Sequence, residues 1–333
     1  MKIACYEVED WEKPYLKKKL ANHNVLFFKD YMEDKNLVKD AEIVVPFVQS
    51  KITAQLLQKM PKLKFIATRS TGYDHIDVKA ANLKGIFVSN VPEYGSNTVA
   101  EHTFALLLNI SKRISESYER VKQGEFSPQG LMGFDLKDKT LGIIGTGKIG
   151  LHVARIARGF GMRVIAYDPF PNMTMSSLLN FNYVDFDTLL KTSDVITVHV
   201  PYLPTTHHLI NKQNVLKIKK GAVLLNTARG AIVETEAILL GLRKDILSYV
   251  GLDVLEEERF LQEELHLLTD AYKEGVDFKL ALEEHTLVEH PRVIITPHNA
   301  FNTKEAILRI LDTTVANIEK FIEGKPQNLV KPL

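Results

Sequence analysis

Short apolar runs alternate with stretches of helical periodicity along the whole chain. The runs form two series, the first at 2–6, 42–47, 65–68 and 85–90 and the second at 141–145, 163–168, 195–201, 222–227, 249–254 and 293–298. Each run is rich in β-branched residues and apolar at consecutive positions, which is typical of parallel strands covered by helices on both faces. Two such series predict an α/β protein with two doubly wound parallel-sheet domains built from right-handed βαβ units.

The segment between the two series marks a domain boundary. Residues 89–97 read SNVPEYGSN, which is rich in turn formers, and an apolar helix is expected after them at about 99–120. This helix is apolar over more than one face, which predicts burial between domains or against a second subunit. We therefore expect a homodimer and a second domain that spans 99–299.

The last helical pattern, at 302–327, follows the final strand of the second series. Asn302 and Glu305 resemble a capping box, and Gly324 with Pro326 ends the helix. Because it follows the last strand, the chain is expected to return to the first domain, which would then comprise 1–98 and 300–333. The acidic stretch 256–285 is interpreted as an inserted helical excursion with a mostly solvated face.

Composition limits the classes of function. The chain has 333 residues, 45% hydrophobic and 25% charged, with a net charge of +1. These values are typical of a globular protein and give no broad basic field for nucleic acid or an anionic membrane. The single cysteine, Cys5, excludes an intrachain disulfide, and no Cys/His spacing indicates a metal site. The most apolar stretch, 99–110, is too short to span a bilayer, so we expect a cytoplasmic protein.

A glycine motif predicts a dinucleotide site in the second domain. Residues 140–150, TLGIIGTGKIG, place Gly145, Gly147 and Gly150 between an apolar strand and a helix pattern. The three glycines permit a tight turn, close approach of the backbone to a pyrophosphate, and helix–strand packing. The next strand ends in Asp168, whose carboxylate would bind ribose hydroxyls and repel a 2′-phosphate, which favours NAD over NADP. A methyl-donor cofactor is the chief alternative, because methyltransferases also carry an acid after their second strand.

Polar side chains follow later strands of the same series, where ligands bind in open α/β sheets. Arg229 follows the run 222–227, Asp253 lies in 249–254 and His298 ends 293–298. An arginine can bind an anionic substrate bidentately, and a histidine can transfer a proton near neutral pH. A carboxylate beside the histidine would orient it. Each residue also has a plain alternative: a surface charge, a turn cap or a structural histidine.

An orienting carboxylate cannot be selected by chemistry alone. Glu258 is one of several acidic residues, the others being Glu256, Glu257, Glu263 and Glu264.

The motifs together resemble the D-isomer-specific 2-hydroxyacid dehydrogenase family over nearly the whole chain. The matching segments are RSTGYDHID (69–77), VPEYGSNTVAEH (91–102), LGIIGTGKIG (141–150), VHVPYLPTTHHLI (198–210), NTARG (226–230), GLDVLEEE (251–258) and TPHNAF (296–301). The resemblance implies two Rossmann-like or flavodoxin-like domains with a cleft between them, the first for substrate and the second for NAD. It also implies a catalytic set of Arg229, Glu258 and His298, in which the family's spacing from the strand-end aspartate selects the glutamate.

The resemblance assigns further contacts by position. Cofactor contacts are implied for Thr98, Gly145, Gly147, Lys148, Ile149, Gly150, Asp168, Val200, Pro201, Thr206, Thr227, Ala228, Arg229, Asp253 and His298. Substrate contacts are implied for Thr71, Gly72, Tyr94, Arg229, His298 and Phe301.

Within the family, the D-lactate dehydrogenase branch is the most similar. Tyr94, Phe301 and the helical excursion after Glu258 match it, whereas Asn302, Glu93 and Gly95 differ from its usual residues. The expected activity is NAD-dependent interconversion of pyruvate and D-lactate, without a metal. Other D-2-hydroxyacid substrates, such as glycerate or a branched hydroxy acid, and a non-enzymatic NADH-sensing corepressor are the alternatives.

Overall fold

A computed structural model describes residues 1–256 and 278–331. The chain forms two compact units, one of Met1–Gly95 with Asn302–Leu333 and the other of Ser96–Phe301. The turn-rich segment ends at Gly95 and a helix begins at Ser96. Residues 96–98 and 300–301 therefore lie in the second unit, whereas the sequence places its boundaries after 98 and before 300.

The first unit contains a five-stranded parallel sheet in the order β2-β1-β3-β4-β5. Its strands are β1 (Lys2–Cys5), β2 (Asn24–Phe27), β3 (Ile43–Val45), β4 (Phe65–Ala67) and β5 (Phe87–Ser89). Its first three α-helices are α1 (Glu12–Lys19), α2 (Ala54–Gln58) and α3 (Val78–Leu83). The central strands β1, β3 and β4 are buried nearly throughout, as their continuous apolar runs require.

The C-terminal helix, Lys304–Ile322, completes the first unit. Its N-cap is Thr303, whose hydroxyl accepts from the amide of Ala306, so the helix begins beyond the Asn302 capping box that the sequence predicts. Phe321 stacks on Phe65 of β4 with ring centroids 4.3 Å apart. The amphipathic face of this helix thus closes one side of the sheet.

The second unit contains a seven-stranded parallel sheet in the order β12-β11-β10-β9-β6-β7-β8. The strands are β6 (Thr140–Ile144), β7 (Arg163–Tyr167), β8 (Asn182–Tyr183), β9 (Val195–Val198), β10 (Ala222–Asn226), β11 (Leu247–Leu252) and β12 (Val293–Ile295). The helices are α4 (Ser96–Lys112), α5 (Ile114–Lys122), α6 (Lys148–Gly159), α7 (Met173–Leu179), α8 (Phe186–Thr192), α9 (Thr235–Arg243) and the helix Phe278–Val288. The predicted fold class, two doubly wound parallel-sheet α/β domains, is confirmed.

The prediction of a single helix at about 99–120 is wrong in one respect. The segment forms two helices, α4 and α5, separated by Arg113 in the left-handed conformation with φ +52°. The buried face of α4 packs within its own unit, where Phe104 and Leu107 share a core with Val153 of α6. Burial of α4 therefore requires no second subunit. None of the helices in the two described stretches, 1–256 and 278–331, combines the length and apolar character of a membrane span.

Candidate active site

The glycine loop after β6 depends on two close backbone contacts. Gly145 has φ +94°, and a Cβ at this position would lie 2.7 Å from the carbonyl oxygen of His199. A Cβ on Gly150 would lie 2.1 Å from the carbonyl oxygen of Gly145. Neither position has room for a side chain, so the tight turn and the close packing of α6 both require glycine.

Gly147 is different because the space beside it is open. It is the N-cap of α6, no side chain caps the helix, and a Cβ there would meet no atom within 4 Å. The first amides of a helix lack intrahelical partners and carry the positive end of its dipole. The start of α6, at Lys148 and Ile149, therefore fits the pyrophosphate of a dinucleotide.

Asp168 follows β7 and its carboxylate binds the glycine loop. Its Oδ2 accepts from the amide of Thr146 at 2.7 Å and from the hydroxyl of Thr146 at 3.0 Å. Its Oδ1 accepts from the amide of Phe170 at 2.9 Å. The hydroxyl of Tyr183 lies 2.7 Å from that of Thr146 and extends this network to β8. The acidic group is thus fixed beside the loop, where a ribose-binding carboxylate is needed.

The turn that carries Arg229 is held by the side chain of Asn226, the last residue of β10. The Asn226 Nδ2 donates to the carbonyl of Arg229 at 2.9 Å, and its Oδ1 accepts from the amide of Ala228 at 3.0 Å. The hydroxyl of Thr227 lies 3.0 Å from that of Thr103 on α4. The backbone of Arg229 is therefore held in place. Its side chain is half-buried, and its guanidinium is permanently charged.

His298 follows β12 in a left-handed conformation, with φ +50°. The amide of His298 donates to the carbonyl of Thr296 at 2.9 Å. The carboxylate of Asp253 then accepts from the amides of Asn299 at 3.0 Å and Ala300 at 2.8 Å. A left-handed conformation is strained for a residue with a Cβ, and these hydrogen bonds offset that strain. The structure thus shows what Asp253 does: it fixes the turn that presents the histidine.

The Asp253 carboxyl is 1% exposed. Burial raises the pKa of Asp253, but hydrogen bonds from His102, Thr296 and the amides of Ala300 and Asn299 more than offset burial and hold it below the usual value. An ionised carboxylate therefore lies behind His298, with its oxygens occupied by donors of the protein itself. Its predicted contact with the cofactor stays a prediction.

Several acidic residues after β11 were candidates for the orienting carboxylate, and of these the structure describes only Glu256. Glu256 is held by Thr235, whose amide and hydroxyl lie 2.7 Å and 2.6 Å from its Oε1, and by His208 at 2.7 Å from its Oε2. Those three contacts fix Glu256 as a structural residue. Glu258, which the family's spacing selects, lies outside the described residues, so its catalytic role stays a prediction.

Comparison with known proteins decides the family. The family model for D-isomer specific 2-hydroxyacid dehydrogenase, NAD binding domain, matches residues 104–300. The chain belongs to this family. A 2-hydroxyacid dehydrogenase homolog of Haemophilus influenzae is 38% identical over 100% of both chains. The D-lactate dehydrogenase of Escherichia coli is 34% identical over 99% of this chain and 100% of the relative.

A solved structure agrees with this assignment over the whole chain. The D-lactate dehydrogenase of Aquifex aeolicus, crystallised with NAD and lactic acid, superposes with a TM-score of 0.87. It is 36% identical and covers 99% of this chain and 100% of its own. The family resemblance and the NAD cofactor predicted from the sequence are confirmed. The cofactor fits the glycine loop, the uncapped start of α6 and Asp168.

Other predicted cofactor residues of the dehydrogenase lie in the same unit as the glycine loop. A Cβ on Gly145 would lie 2.7 Å from Val200, so this side chain borders the loop directly. Thr206 donates to the carbonyl of Pro201 at 2.7 Å, which closes the turn that follows β9. Thr98 is buried in α4. Their contacts with NAD stay predictions.

The first unit of the dehydrogenase contains the predicted substrate residues Thr71, Gly72 and Tyr94. The Thr71 hydroxyl donates to the carbonyl of Val91 at 2.7 Å, and the Thr71 carbonyl accepts from the side-chain amide of Asn90 at 2.7 Å. Ser70 donates to the Gly72 carbonyl at 2.6 Å. Within the described residues the amides of Thr71 and Gly72 donate to no protein acceptor, as an anion-binding loop requires.

The two aromatic residues predicted at the substrate differ in position. The Tyr94 carbonyl accepts from Arg309 within the first unit. Phe301 is half-buried and is the last residue of the second unit.

The sequence did not single out four residues that shape the site: Thr103, Asn226, Thr296 and His102. Asn226 carried a usable signal, because an asparagine at the end of a strand commonly bonds the backbone of the following turn.

Proposed function

We propose that the dehydrogenase reduces pyruvate to D-lactate with NADH and a proton, and catalyses the reverse oxidation. The observation that supports this best is the adjacency of three strand ends. Arg229 follows β10, Asp253 follows β11 and His298 follows β12, and these strands are neighbours in the sheet. An anion-binding group and a proton-transfer group thus share one edge of the NAD-binding unit, where ligands of open α/β sheets bind.

Arg229 would bind the carboxylate of the keto acid. Its guanidinium stays charged at every working pH and matches a carboxylate with two parallel N–H donors. The turn at Asn226 holds the backbone of Arg229, and the Arg229 Nη1 donates to the Ala228 carbonyl at 2.8 Å, so the side chain is partly ordered before the substrate binds. The amides of Thr71 and Gly72 are the predicted second contact for the same carboxylate.

His298 would supply the proton to the carbonyl oxygen. NADH, when bound, would supply a hydride to the carbonyl carbon, and the carbonyl oxygen would then need a proton donor nearby. Asp253 accepts from the Thr296 hydroxyl before His298 and from the amides of Asn299 and Ala300 after it, and thereby fixes the backbone position of the histidine. Glu258 is the predicted partner of the ring that keeps it protonated and oriented.

The substrate is tested with a panel of keto acids at fixed NADH, followed by loss of NADH absorbance. The panel contains pyruvate, phenylpyruvate, 2-ketoisocaproate, hydroxypyruvate and oxaloacetate. Glyoxylate is added because a Thermococcus litoralis relative, 36% identical over 98% of this chain, is a glyoxylate reductase. The highest kcat/KM is expected for pyruvate. Preference for another acid would overturn the substrate, and NADH binding without turnover of any acid would overturn the activity.

The role of Arg229 is tested by Arg229→Gln. Loss of a charge-assisted bidentate contact is expected to lower kcat/KM for pyruvate by about 100-fold or more. Binding of NADH, measured by fluorescence titration, is expected to change little. Arg243→Gln is the matched control, because Arg243 is an exposed arginine at the end of α9. Wild-type kcat/KM in the Arg229 variant would exclude the assignment.

We also propose that two copies associate through α5 and the segment after it. Large apolar side chains are exposed there: Ile114, Tyr118, Val121, Phe126 and Met132. The spacing of Ile114, Tyr118 and Val121 places them on one face of α5, and an exposed apolar helix face is typical of protein–protein interfaces. Light scattering after size exclusion is expected to give twice the chain mass of 37.7 kDa. Tyr118→Glu should shift the population to monomer, and a monomeric wild type would contradict the proposal.

A reducing compartment, the cytoplasm, fits the only cysteine. As the single cysteine of the sequence, buried Cys5 forms no intrachain disulfide, the bond that oxidising compartments favour. Cytoplasmic location is proposed on this basis, and fractionation of cells that express the native gene tests it.

A further inference from the structure

His102 of α4 contacts two residues behind the predicted proton donor. Its Nε2 lies 3.0 Å from the hydroxyl oxygen of Thr296 and 3.4 Å from Oδ1 of Asp253. All three residues belong to the second unit, and the His102 side chain is 20% exposed. The reaction assigned above uses neither His102 nor Thr296.

The distances determine which atom carries each proton. The Thr296 hydroxyl has one proton, and its oxygen lies 2.5 Å from Oδ1 of Asp253 against 3.4 Å from the carbonyl of Leu252. An ionised carboxylate can only accept, so the Thr296 proton points to Asp253. The oxygen of Thr296 therefore presents a lone pair to His102. We assign the His102 Nε2 as protonated and donating to Thr296 and, at longer range, to Asp253.

These contacts link α4 to the turn that presents His298. Asp253 accepts from Thr296, Asn299 and Ala300, and the amide of His298 bonds the carbonyl of Thr296. The carboxylate thus has donors from both ends of the turn. Among these contacts, His102 is the one side-chain donor that lies outside the segments following the strands. It connects the network to α4.

We propose that His102 is a positioning residue, which fixes the Thr296–Asp253 pair and through it the left-handed backbone of His298. This inference rests on the proposed role of His298 as the proton donor. His102 acts through Asp253 and Thr296, so its loss should affect the chemical step more than the binding of either ligand. Outer hydrogen-bond partners of this kind place reacting groups accurately, and small displacements lower the rate strongly.

The test compares His102→Leu with His102→Gln. Leucine fills similar space without a donor, whereas the glutamine amide can place an N–H near the position of Nε2. His102→Leu is expected to lower kcat for pyruvate reduction by about tenfold or more, since it removes the donor that holds the Thr296–Asp253 pair. The KM for pyruvate and the Kd for NADH should stay within about twofold, and His102→Gln should recover most of the rate.

A second readout does not depend on activity. Amide hydrogen exchange at Asn299 and Ala300 is expected to accelerate in His102→Leu and to stay near wild type in His102→Gln. His23→Leu, which changes a histidine of the first unit, is the control for the substitution itself.

The outcomes separate the two proposals. Inactive wild-type protein with the expected exchange pattern would overturn the proposed function and keep the positioning role. Active wild type with wild-type kcat in His102→Leu would overturn the positioning role alone. Equal loss of kcat in both variants, with a lowered melting temperature, would also overturn it, because a merely structural role predicts that result.

Discussion

Gly230 lies directly against the backbone of Leu255. A Cβ on Gly230 would fall 2.0 Å from both the carbonyl carbon and the carbonyl oxygen of Leu255, and 2.4 Å from the amide nitrogen of Glu256. The turn that carries Arg229 is therefore packed onto the segment that follows Asp253. This contact explains why the arginine at the end of β10 is followed at once by glycine.

Gly230→Ala should therefore damage both stability and catalysis. The contacts are with backbone atoms, which cannot rotate away as a side chain could, so the whole turn must shift. We expect a loss of about 1–3 kcal/mol in the free energy of unfolding. Because Arg229 moves with the turn, kcat/KM for the keto acid should fall by at least about tenfold. Urea unfolding and steady-state kinetics on the same preparation measure the two effects.

Gly159→Ala is the matched control for that substitution. Gly159 is the last residue of α6, and a Cβ there meets nothing within 4 Å. It should leave stability unchanged or slightly raised, since alanine favours helix more than glycine does. If Gly230→Ala behaved like this control, the packing of the Arg229 turn on Leu255 would be refuted.

Two glycines of the cofactor loop should respond differently to alanine. Gly150→Ala would clash with the carbonyl of Gly145 at 2.1 Å, so it should lower both the melting temperature and NADH affinity. Gly147→Ala has open space in the free protein, so it should lower the melting temperature less than Gly150→Ala does, by no more than the loss of a glycine N-cap. It should still weaken NADH binding by about tenfold or more, because the methyl group occupies the approach of the pyrophosphate. Thermal unfolding and fluorescence titration measure these effects, and equal NADH affinity in Gly147→Ala and wild type would place the pyrophosphate elsewhere.

His199 should make the dehydrogenase sensitive to acid. Its Nε2 lies 2.8 Å from the Thr197 hydroxyl, and its Nδ1 is buried with no hydrogen-bond partner in the described part of the chain. Burial lowers the pKa of His199 from 6.5 to about 3. The folded protein thus keeps this ring neutral at pH values where the unfolded chain binds a proton.

The sign of the effect follows from linkage. Between pH 6.5 and about 3 the unfolded state binds more protons at His199, so stability falls as the pH falls through this window. The free energy of unfolding that His199 removes approaches about 1.4 kcal/mol per pH unit. Between neutral pH and pH ~5, wild type should lose about 2 kcal/mol more unfolding free energy than His199→Gln. Identical pH dependence in urea unfolding of the two proteins would show that His199 is not held neutral.

The fold was largely predictable because ten of its strands are continuous apolar runs. The two that the pattern misses, β2 and β8, lie at sheet edges. β2 (NVLF) begins with an exposed asparagine and is otherwise half-buried, and β8 has only two residues, so neither needs a long apolar run. The break between α4 and α5 at Arg113 was also missed, because no glycine or proline marks it in the sequence. The Arg113 side chain donates to Glu116 at 2.8 Å and lies over the ring of Tyr249. Hydrophobic periodicity does not reveal such contacts.

Candidate site residues could be predicted from the sequence where the residue type is tied to a strand end. Gly145, Asp168, Arg229 and His298 all have this property, since their chemistry or backbone conformation is tied to a position after a strand. His102 could not be found in this way. It lies on α4, far in sequence from Thr296 and Asp253, and only the packing of α4 on the sheet brings its ring to them.

The stereochemistry of the product is the decisive test of the proposed D-lactate dehydrogenase activity. Purified protein is incubated with pyruvate and NADH until the absorbance of NADH stops falling, and both enantiomers of lactate are then separated on a chiral column. We expect D-lactate, formed in a one-to-one ratio with the NADH consumed and without L-lactate. L-lactate or a racemic product, or consumption of NADH without lactate, would contradict it.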